Sequence, residues 1–263
     1  MQILRYATRY ILNNHLSRSS TRALSTIKPD DTKPPFLMVA SIGNPEPDYS
    51  GSRHSVGHWV LEQLVQNHWK NFSRFQKHRN ISRGPYSVSQ DSVSSNVLLF
   101  KSNETYMNLQ GEPIHANWSE VRRIQSRQFS PALVVVHDEI SLPLGKIQIR
   151  KQGSSPRGHN GLRSIDKIMG QNYTKIAVGV GKPPNKYVAD FVLAKFKRPE
   201  VEVLEYDVMP QIVQVLEQMT KGEHIFEVSK APEKRQRQPR PRQNTKKDSI
   251  SEVVESAAST ASS

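Results

Sequence analysis

The sequence predicts an α/β fold, a single globular domain with a twisted mixed β-sheet flanked by helices, plus disordered N- and C-terminal extensions. Three observations carry that expectation. Apolar runs of strand length alternate with segments whose apolar residues recur at helical spacing. Some neighbouring strand candidates are joined by connections too short for a crossover, so antiparallel pairs must mix with parallel ones. The two ends also differ in composition from the middle, which sets boundaries at 1–33, 34–229 and 230–263.

Phe36–Ile42 is an apolar run after the polar, proline-containing Asp30–Pro35 linker, and reads as the first strand. A turn-rich loop follows from Ser41 to His54. Next comes a helix from His54 to about Trp69, with Val56, Trp59, Val60, Leu64 and Val65 as its apolar stripe. Tyr86–Val88 and Asn96–Phe100 read as two strands around the polar Gln90–Ser95 turn. Leu109 to about Ile124 is a helix that Pro113 should weaken. Ala132–Val136 is apolar throughout, the mark of a strand buried on both faces. Lys146–Arg150 alternates like a strand, Leu162–Met169 reads as a short helix, and Lys175–Gly181 as another strand. Val203 to Met219 is the last helix, with a kink or restart expected at Pro210.

The chain has 263 residues, 35% of them hydrophobic, enough for one sizeable core. No apolar run approaches the roughly 18 residues of a spanning helix, so no membrane insertion is expected. Cysteine is absent, which excludes disulfides and thiol chemistry and would leave a zinc site only His and carboxylate ligands. The net charge of +13 is uneven: +5 in residues 1–29, +7 in 230–247, −3 in 248–263, leaving +4 for 30–229. Basic appendages suit a nucleic-acid partner, and solvated tails would explain them as well.

In residues 1–29, Ile3, Tyr6, Ala7, Tyr10 and Ile11 share one helical face, Arg5 and Arg9 lie off it, and the first acid is Asp30. An amphipathic segment rich in Arg and Ser and free of acid is the pattern of a mitochondrial presequence, which directs the expectation to the matrix. Beyond Lys230 the chain is Pro, Arg, Gln and Lys, then Ser, Ala and Val, too poor in apolar residues to fold. Its basic part, Lys230–Lys247, is expected to add RNA affinity by counterion release.

The loop before the first helix holds Asn44, Tyr49 and His54, and similar loops further on hold Asn108, Asp138 and His159-Asn160. Ligands bind at such strand ends in α/β sheets, so one cleft is expected to gather these side chains. A neutral imidazole can take a proton from water. At a helix start the dipole disfavours its charged form, and a carboxylate would offset that and fix the tautomer. Asp138, directly after Leu133-Val-Val-Val-His137, is the candidate. A surface or capping histidine is the plain alternative for His54, and N-capping is the plain alternative for Asn108 and Asn160. Together with Asn44, the asparagines could instead donate amide hydrogens to a carbonyl. There is no dinucleotide fingerprint and no phosphate loop, so no cofactor is expected. His54 and His58 have i, i+4 spacing and could share a metal, but the Glu of the zincin motif is missing, and no metal is expected.

At these residues the sequence resembles the bacterial-type peptidyl-tRNA hydrolase family, from about Phe36 to about Phe226. The motifs come in order: Gly43-Asn-Pro45, Tyr49, Arg53-His54, Tyr106-Met-Asn-Leu109 before Gly111, and His137-Asp-Glu139 before Leu142-Pro143 and Gly145. Gly158-His-Asn-Gly161, Val178-Gly-Val-Gly181 and Asp190-Phe-Val-Leu193 follow. The resemblance implies hydrolysis of the ester between a peptide and the tRNA 3′ end, with peptidyl-tRNA as partner, by a monomer. It implies that His54 is the general base, that Asp138 orients it, and that Asn44 distinguishes N-blocked substrates. Tyr49, Tyr106, Asn108 and Asn160 would hold the 3′ end and the peptide, with Met107 and His159 lining the same cleft. A non-catalytic RNA-binding relative is the competing reading. Four positions depart from the family pattern: Glu46 replaces a Gly, Ser55 an Asn, Gly153-Ser-Ser-Pro-Arg157 a Gly-rich run, and Ala177 a basic residue of a phosphate clamp. Lys151, beside Arg150, fits the other half of that clamp, and Lys175 or Lys182 is a candidate for the missing half.

Overall fold

The computed structural model of the chain describes residues 30, 32–77, 87–90, 96–183 and 187–229. The expected presequence at residues 1–29, Tyr86, most of the Gln90–Ser95 turn and the tail from 230 lie outside the described residues. The fold is a six-stranded sheet in the order β2-β3-β1-β4-β6-β5. Its strands are β1 (Pro35–Ser41), β2 (Ser87–Gln90), β3 (Val97–Lys101), β4 (Ser130–Glu139), β5 (Ile147–Arg150) and β6 (Thr174–Gly179). β1 runs parallel to β3 and β4, and β4 parallel to β6. The edges β2 and β5 are antiparallel to their neighbours, so the sheet is mixed as the sequence predicts.

Strand period and helix stripe meet on both faces of the sheet. On one face Leu37, Val39, Val134, Val136, Ile176 and Val178 pack with Val56, Val60 and Leu61 of α1 (Val56–Gln63) and Ile212 and Leu216 of α6 (Met209–Thr220). On the other face the intervening residues Met38, Ala40, Leu133 and Val135 pack with Ile114, Trp118 and Val121 of α2 (Gly111–Gln125) and Leu162 and Ile165 of α3 (Asn160–Met169). A central strand clothed on both faces is why Ala132–Val136 shows no alternation.

Several expectations need correction. Pro113 does not weaken α2, because it lies in the first turn, where no intrahelical N–H is required of it. Polar residues do not end β4 at Val136: His137, Asp138 and Glu139 continue it opposite Ala177, Val178 and Gly179 of β6. The last helical region begins earlier than Val203, with α5 (Arg198–Val203) and a wide turn at Leu204–Val208 before α6, whereas the restart expected at Pro210 is found. The short helix α4 (Val188–Leu193) is not visible in the sequence periodicity, since six residues give too little of it.

From β1 the chain passes to β3 on one side and to β4 on the other. The loops after β1 and β4 therefore open around a crevice at their carboxyl ends, the place where such sheets bind ligands.

Candidate active site

His54 lies in a single 3-10 turn, Arg53–Ser55, that joins the post-β1 loop to α1. β4 outruns β1 by three residues, since Ser41 pairs with Val136, and so carries Asp138 to the crevice. His54 Nδ1–H donates to Asp138 Oδ1 at 2.8 Å. His159 Nε2–H donates to the same oxygen, also at 2.8 Å. The hydrogen positions follow from the partners. Asp138 is a carboxylate that can only accept, and His159 Nδ1 accepts from Leu162 N at 3.3 Å, so its proton is on Nε2. His54 is left with Nε2 unprotonated and without a partner among the described residues.

Burial alone would raise the Asp138 pKa. The imidazoles of His159 and then His54 outweigh it and hold the carboxyl well below its usual range. The side chain of Asp138 is 2% exposed and that of His54 18%, so the acid is sealed while the base meets the cavity. His137 Nδ1–H donates to Asp138 O at 2.7 Å and steadies the strand end. Burial first, with neighbouring His159 adding to it, pulls the His137 pKa down to about 3, so it is neutral.

A cavity of about 350 Å³ opens beside His54. Asp138, His159, Asn160 and Arg157 form its polar side, and Val188, Val192 and Leu193 of α4 much of its apolar side. Arg53 fixes α4 relative to His54. Its Nη2 donates to both Glu200 oxygens at 2.7 and 2.8 Å, and its Nη1 to Ala194 O and Lys195 O at 3.2 and 3.1 Å. Its guanidinium also lies 4.5 Å from the ring centre of Phe191. Sequence reasoning quotes Arg53 within a motif and gives it no task.

Asn44, Tyr49, Tyr106, Met107 and Asn108 are not among the residues that line this cavity, and Asn44 Oδ1 accepts from Met107 N at 3.1 Å. The Asn44 backbone N–H donates to Ser55 Oγ at 3.1 Å, so the departure at Ser55 still ties Asn44 to the turn that holds His54. The departure at Glu46 is also accommodated, since its carboxylate binds buried Lys101 at 2.7 Å and Asn103 at 2.9 Å. Gln110 is the residue the sequence reading missed altogether. Its Oε1 accepts from Gly43 N at 3.1 Å, and its Nε2 reaches Gly43 O, Ser102 O and, at 3.1 Å, Thr105 O. Gln110 is fully buried, and nothing in the sequence marks it, because its partners are backbone atoms.

Met107 is buried at the start of α3: a Cβ on Gly161 would lie 2.6 Å from Met107 Cγ. Asn108 is exposed on the 3-10 turn Met107–Leu109, and Tyr106 beside it is 55% exposed. The Tyr106 ring meets Tyr49 edge-on with centroids 6.3 Å apart. Neither asparagine acts as an N-cap. Asn108 makes no cap bond, and α3 is capped by His159, one residue before Asn160. Asn160 lines the cavity, and its Oδ1 accepts from Arg163 Nη1 at 3.3 Å.

His58 is held away from His54, and the phosphate-contact candidates Arg150, Lys175 and Lys151 are corrected. His58 cannot share a metal with His54: His54 precedes α1 in a tighter turn, which breaks the i, i+4 register, and His58 Nδ1 bonds Ser41 Oγ at 2.8 Å. Burial pulls the His58 pKa down to about 3. Arg150 and Lys175 are not free for phosphate. Both are buried beneath the loop before His159, Lys175 Nζ donating to Ser154 O at 3.0 Å and Arg150 to Ser155 O. Lys151 is exposed but paired with Glu227 at 2.7 Å, whereas Lys182 is exposed without an ion pair among the described residues.

The donor atoms of His54, Asp138 and His159 lie within 4.8 Å of one another, close enough to test for a metal. The hydrogen bonds fit poorly with one. A metal on His159 Nε2 would drive its proton to Nδ1, against the Leu162 N–H. A metal on His54 Nδ1 would drive the proton to Nε2 and remove the lone pair that faces the cavity.

Residues 38–240 match the family described as peptidyl-tRNA hydrolase. A peptidyl-tRNA hydrolase of Fervidobacterium nodosum is 39% identical over 173 residues, 64% of this chain and 81% of the relative. One of Saccharomyces cerevisiae is 35% identical over 156 residues, 59% of this chain and 77% of the relative. The crystal structure of peptidyl-tRNA hydrolase from Acinetobacter baumannii matches with a TM-score of 0.53 at 23% identity, over 72% of this chain and 94% of that one, a likeness of fold.

Proposed function

The chain belongs to the peptidyl-tRNA hydrolase family, enzymes that cleave the ester between peptide and tRNA, and from that premise we propose how its residues divide the work. The observation that carries the reading is the His54–Asp138 bond at 2.8 Å, which leaves His54 Nε2 open at the cavity. His54 Nε2 takes a proton from water as the water oxygen attacks the ester carbonyl carbon. Asp138 stabilises the imidazolium so formed. The oxyanion accepts from the Nδ2–H of Asn160. Collapse breaks the bond to the ribose oxygen, which takes its proton back from His54. The tRNA leaves with its hydroxyl restored, and the peptide leaves as a carboxylic acid that gives the water's second proton to solvent and becomes a carboxylate.

Asn44 has the other task. With Oδ1 held by Met107 N, its Nδ2 donors are fixed in direction, and they suit the amide carbonyl that an N-blocked substrate has and a free aminoacyl group lacks. Exposed Tyr106 and Asn108, with Tyr49, hold the peptide and the 3′ end.

The test is ester cleavage by the wild-type protein of N-acetylaminoacyl-tRNA and of unblocked aminoacyl-tRNA. Cleavage of the blocked ester only is expected. Tight tRNA binding with neither ester cleaved would instead favour a binding module. Residues 1–29 support a mitochondrial matrix location through their acid-free amphipathic pattern. Fused to a fluorescent protein they should carry it into mitochondria, and a reporter left in the cytosol would refute this. Monomeric behaviour, checked by light scattering, is part of the same reading.

A further inference from the structure

The charge balance at the cavity mouth leaves one cation unspent. Arg157 is the only lysine or arginine among the described residues that line the cavity, and its side chain is 47% exposed. Its nearest acceptors are distant: Gln148 Oε1 at 3.5 Å and Glu139 Oε2 at 3.9 Å. Glu139 is already engaged. Its Oε1 accepts from Ser141 N and Oγ at 3.1 and 2.8 Å, and its Oε2 is 3.8 Å from buried Arg150. Two guanidiniums thus face one carboxylate, and neither hydrogen-bonds to it. Burial, then the neighbouring Arg157 charge, lowers the Arg150 pKa, as expected for cations crowded together.

The loop presents Arg157 from a fastened position. Lys175 holds Ser154 O, and Arg150 holds Ser155 O, just before it. Arg157 itself adopts φ +46 and Gly158 φ +87. A bulky residue in the left-handed region is uncommon and strained, yet the guanidinium it displays is nearly free. Of the other cations offered for phosphate binding, Arg150 and Lys175 are buried and Lys151 is paired, while Lys182 is exposed but does not line the cavity.

We propose that Arg157 binds the phosphodiester on the 5′ side of the tRNA's 3′-terminal nucleoside. This deepens the hydrolase reading of the same cavity and rests on it. The ester hangs from the terminal ribose, so with the carbonyl at His54 the nearest phosphate lies one sugar away, on the same cavity. A planar guanidinium without a close counter-ion is suited to bidentate contact with phosphate oxygens.

The experiment uses the full chain, with Arg157→Gln and Arg157→Lys, and deacylated tRNA as the probe. Affinity is measured against salt for the complete tRNA and for the same tRNA trimmed of its terminal nucleotide and that phosphate. Arg157→Gln should weaken the complete tRNA about tenfold, the worth of one charge-assisted contact. It should lower the log–log salt slope by about 0.7 to 1. Arg157→Lys should recover part of the loss, and the trimmed tRNA should show little difference between the proteins. An unchanged affinity, or an equal loss on both tRNAs, overturns the proposal. A second arm compares cleavage of N-acetylaminoacyl-tRNA and the phosphate-free N-acetylaminoacyl-adenosine. The factor lost on the tRNA ester should exceed that lost on the adenosine ester by about tenfold; equal factors would mean that Arg157 only shapes the loop. If the wild-type protein cleaved neither ester, the hydrolase reading would fall, and the binding arm would still decide on Arg157.

Discussion

Asp138 accepts from two imidazoles on a single carboxylate oxygen, and that one oxygen sets which nitrogen of each ring carries a proton. Asp138→Asn keeps an acceptor of the same shape and removes the charge that stabilises imidazolium. The expected outcome is a loss in kcat of about 10²–10⁴ with little change in tRNA affinity. A variant with full kcat would show that His54 needs no ionised partner. At this scale His54 and Asp138 are legible from the sequence because each follows a recognisable end, a loop before a helix stripe and an apolar strand run. Gln110 and Arg53 are not, because a residue that works by bonding backbone atoms remote in sequence leaves no periodicity and no spacing. Arg150 and Lys175 mislead for the same reason: a basic residue next to a motif looks available until the partners that bury it are known.

Elements place the residues of the site, and Gln110 fastens the loop that carries Asn44. It ties the loop after β1, through Gly43, to Ser102 and Thr105 after β3. Gln110→Leu leaves Gly43 N, Gly43 O and two further carbonyls without that partner in a dry interior. Each orphaned group costs about 1–3 kcal/mol, partly relieved by relaxation, so a loss near 3 kcal/mol is expected in urea unfolding. kcat/KM should fall with it, since the loop carries Asn44. Stability equal to wild type would show that the clamp is redundant. The element boundaries that the sequence misplaces have physical causes. β4 runs on through His137, Asp138 and Glu139 because β6 supplies ladder partners, which composition does not reveal. α4 is held by Arg53 and its packing, not by a stripe of its own.

At the scale of the whole molecule, the two-faced sheet lets one buried lysine report on the loop above it. Burial, aided by Arg150 and opposed by Asp166, pulls the Lys175 pKa from 10.5 down to about 8. The unfolded chain therefore binds that proton more tightly than the folded one. Between pH 8 and 10.5 this group makes stability rise with pH, and below pH 8 its cost is fully present. Lys175→Met should remove that rise, seen as the difference between the urea midpoints of the two proteins at pH 7.5 and pH 10; parallel midpoints would contradict it. The mixed α/β plan is legible in the alternation of apolar runs, and its strand order is not, because pairing partners are chosen by long-range packing. The central claim, that His54 is the base, is tested most directly by ester cleavage of N-acetylaminoacyl-tRNA by His54→Ala beside wild type. Loss of the general base should cut kcat by about 10²–10⁴ while the tRNA stays bound. Cleavage at the wild-type rate would contradict it and move the search for the base to another residue of the cavity.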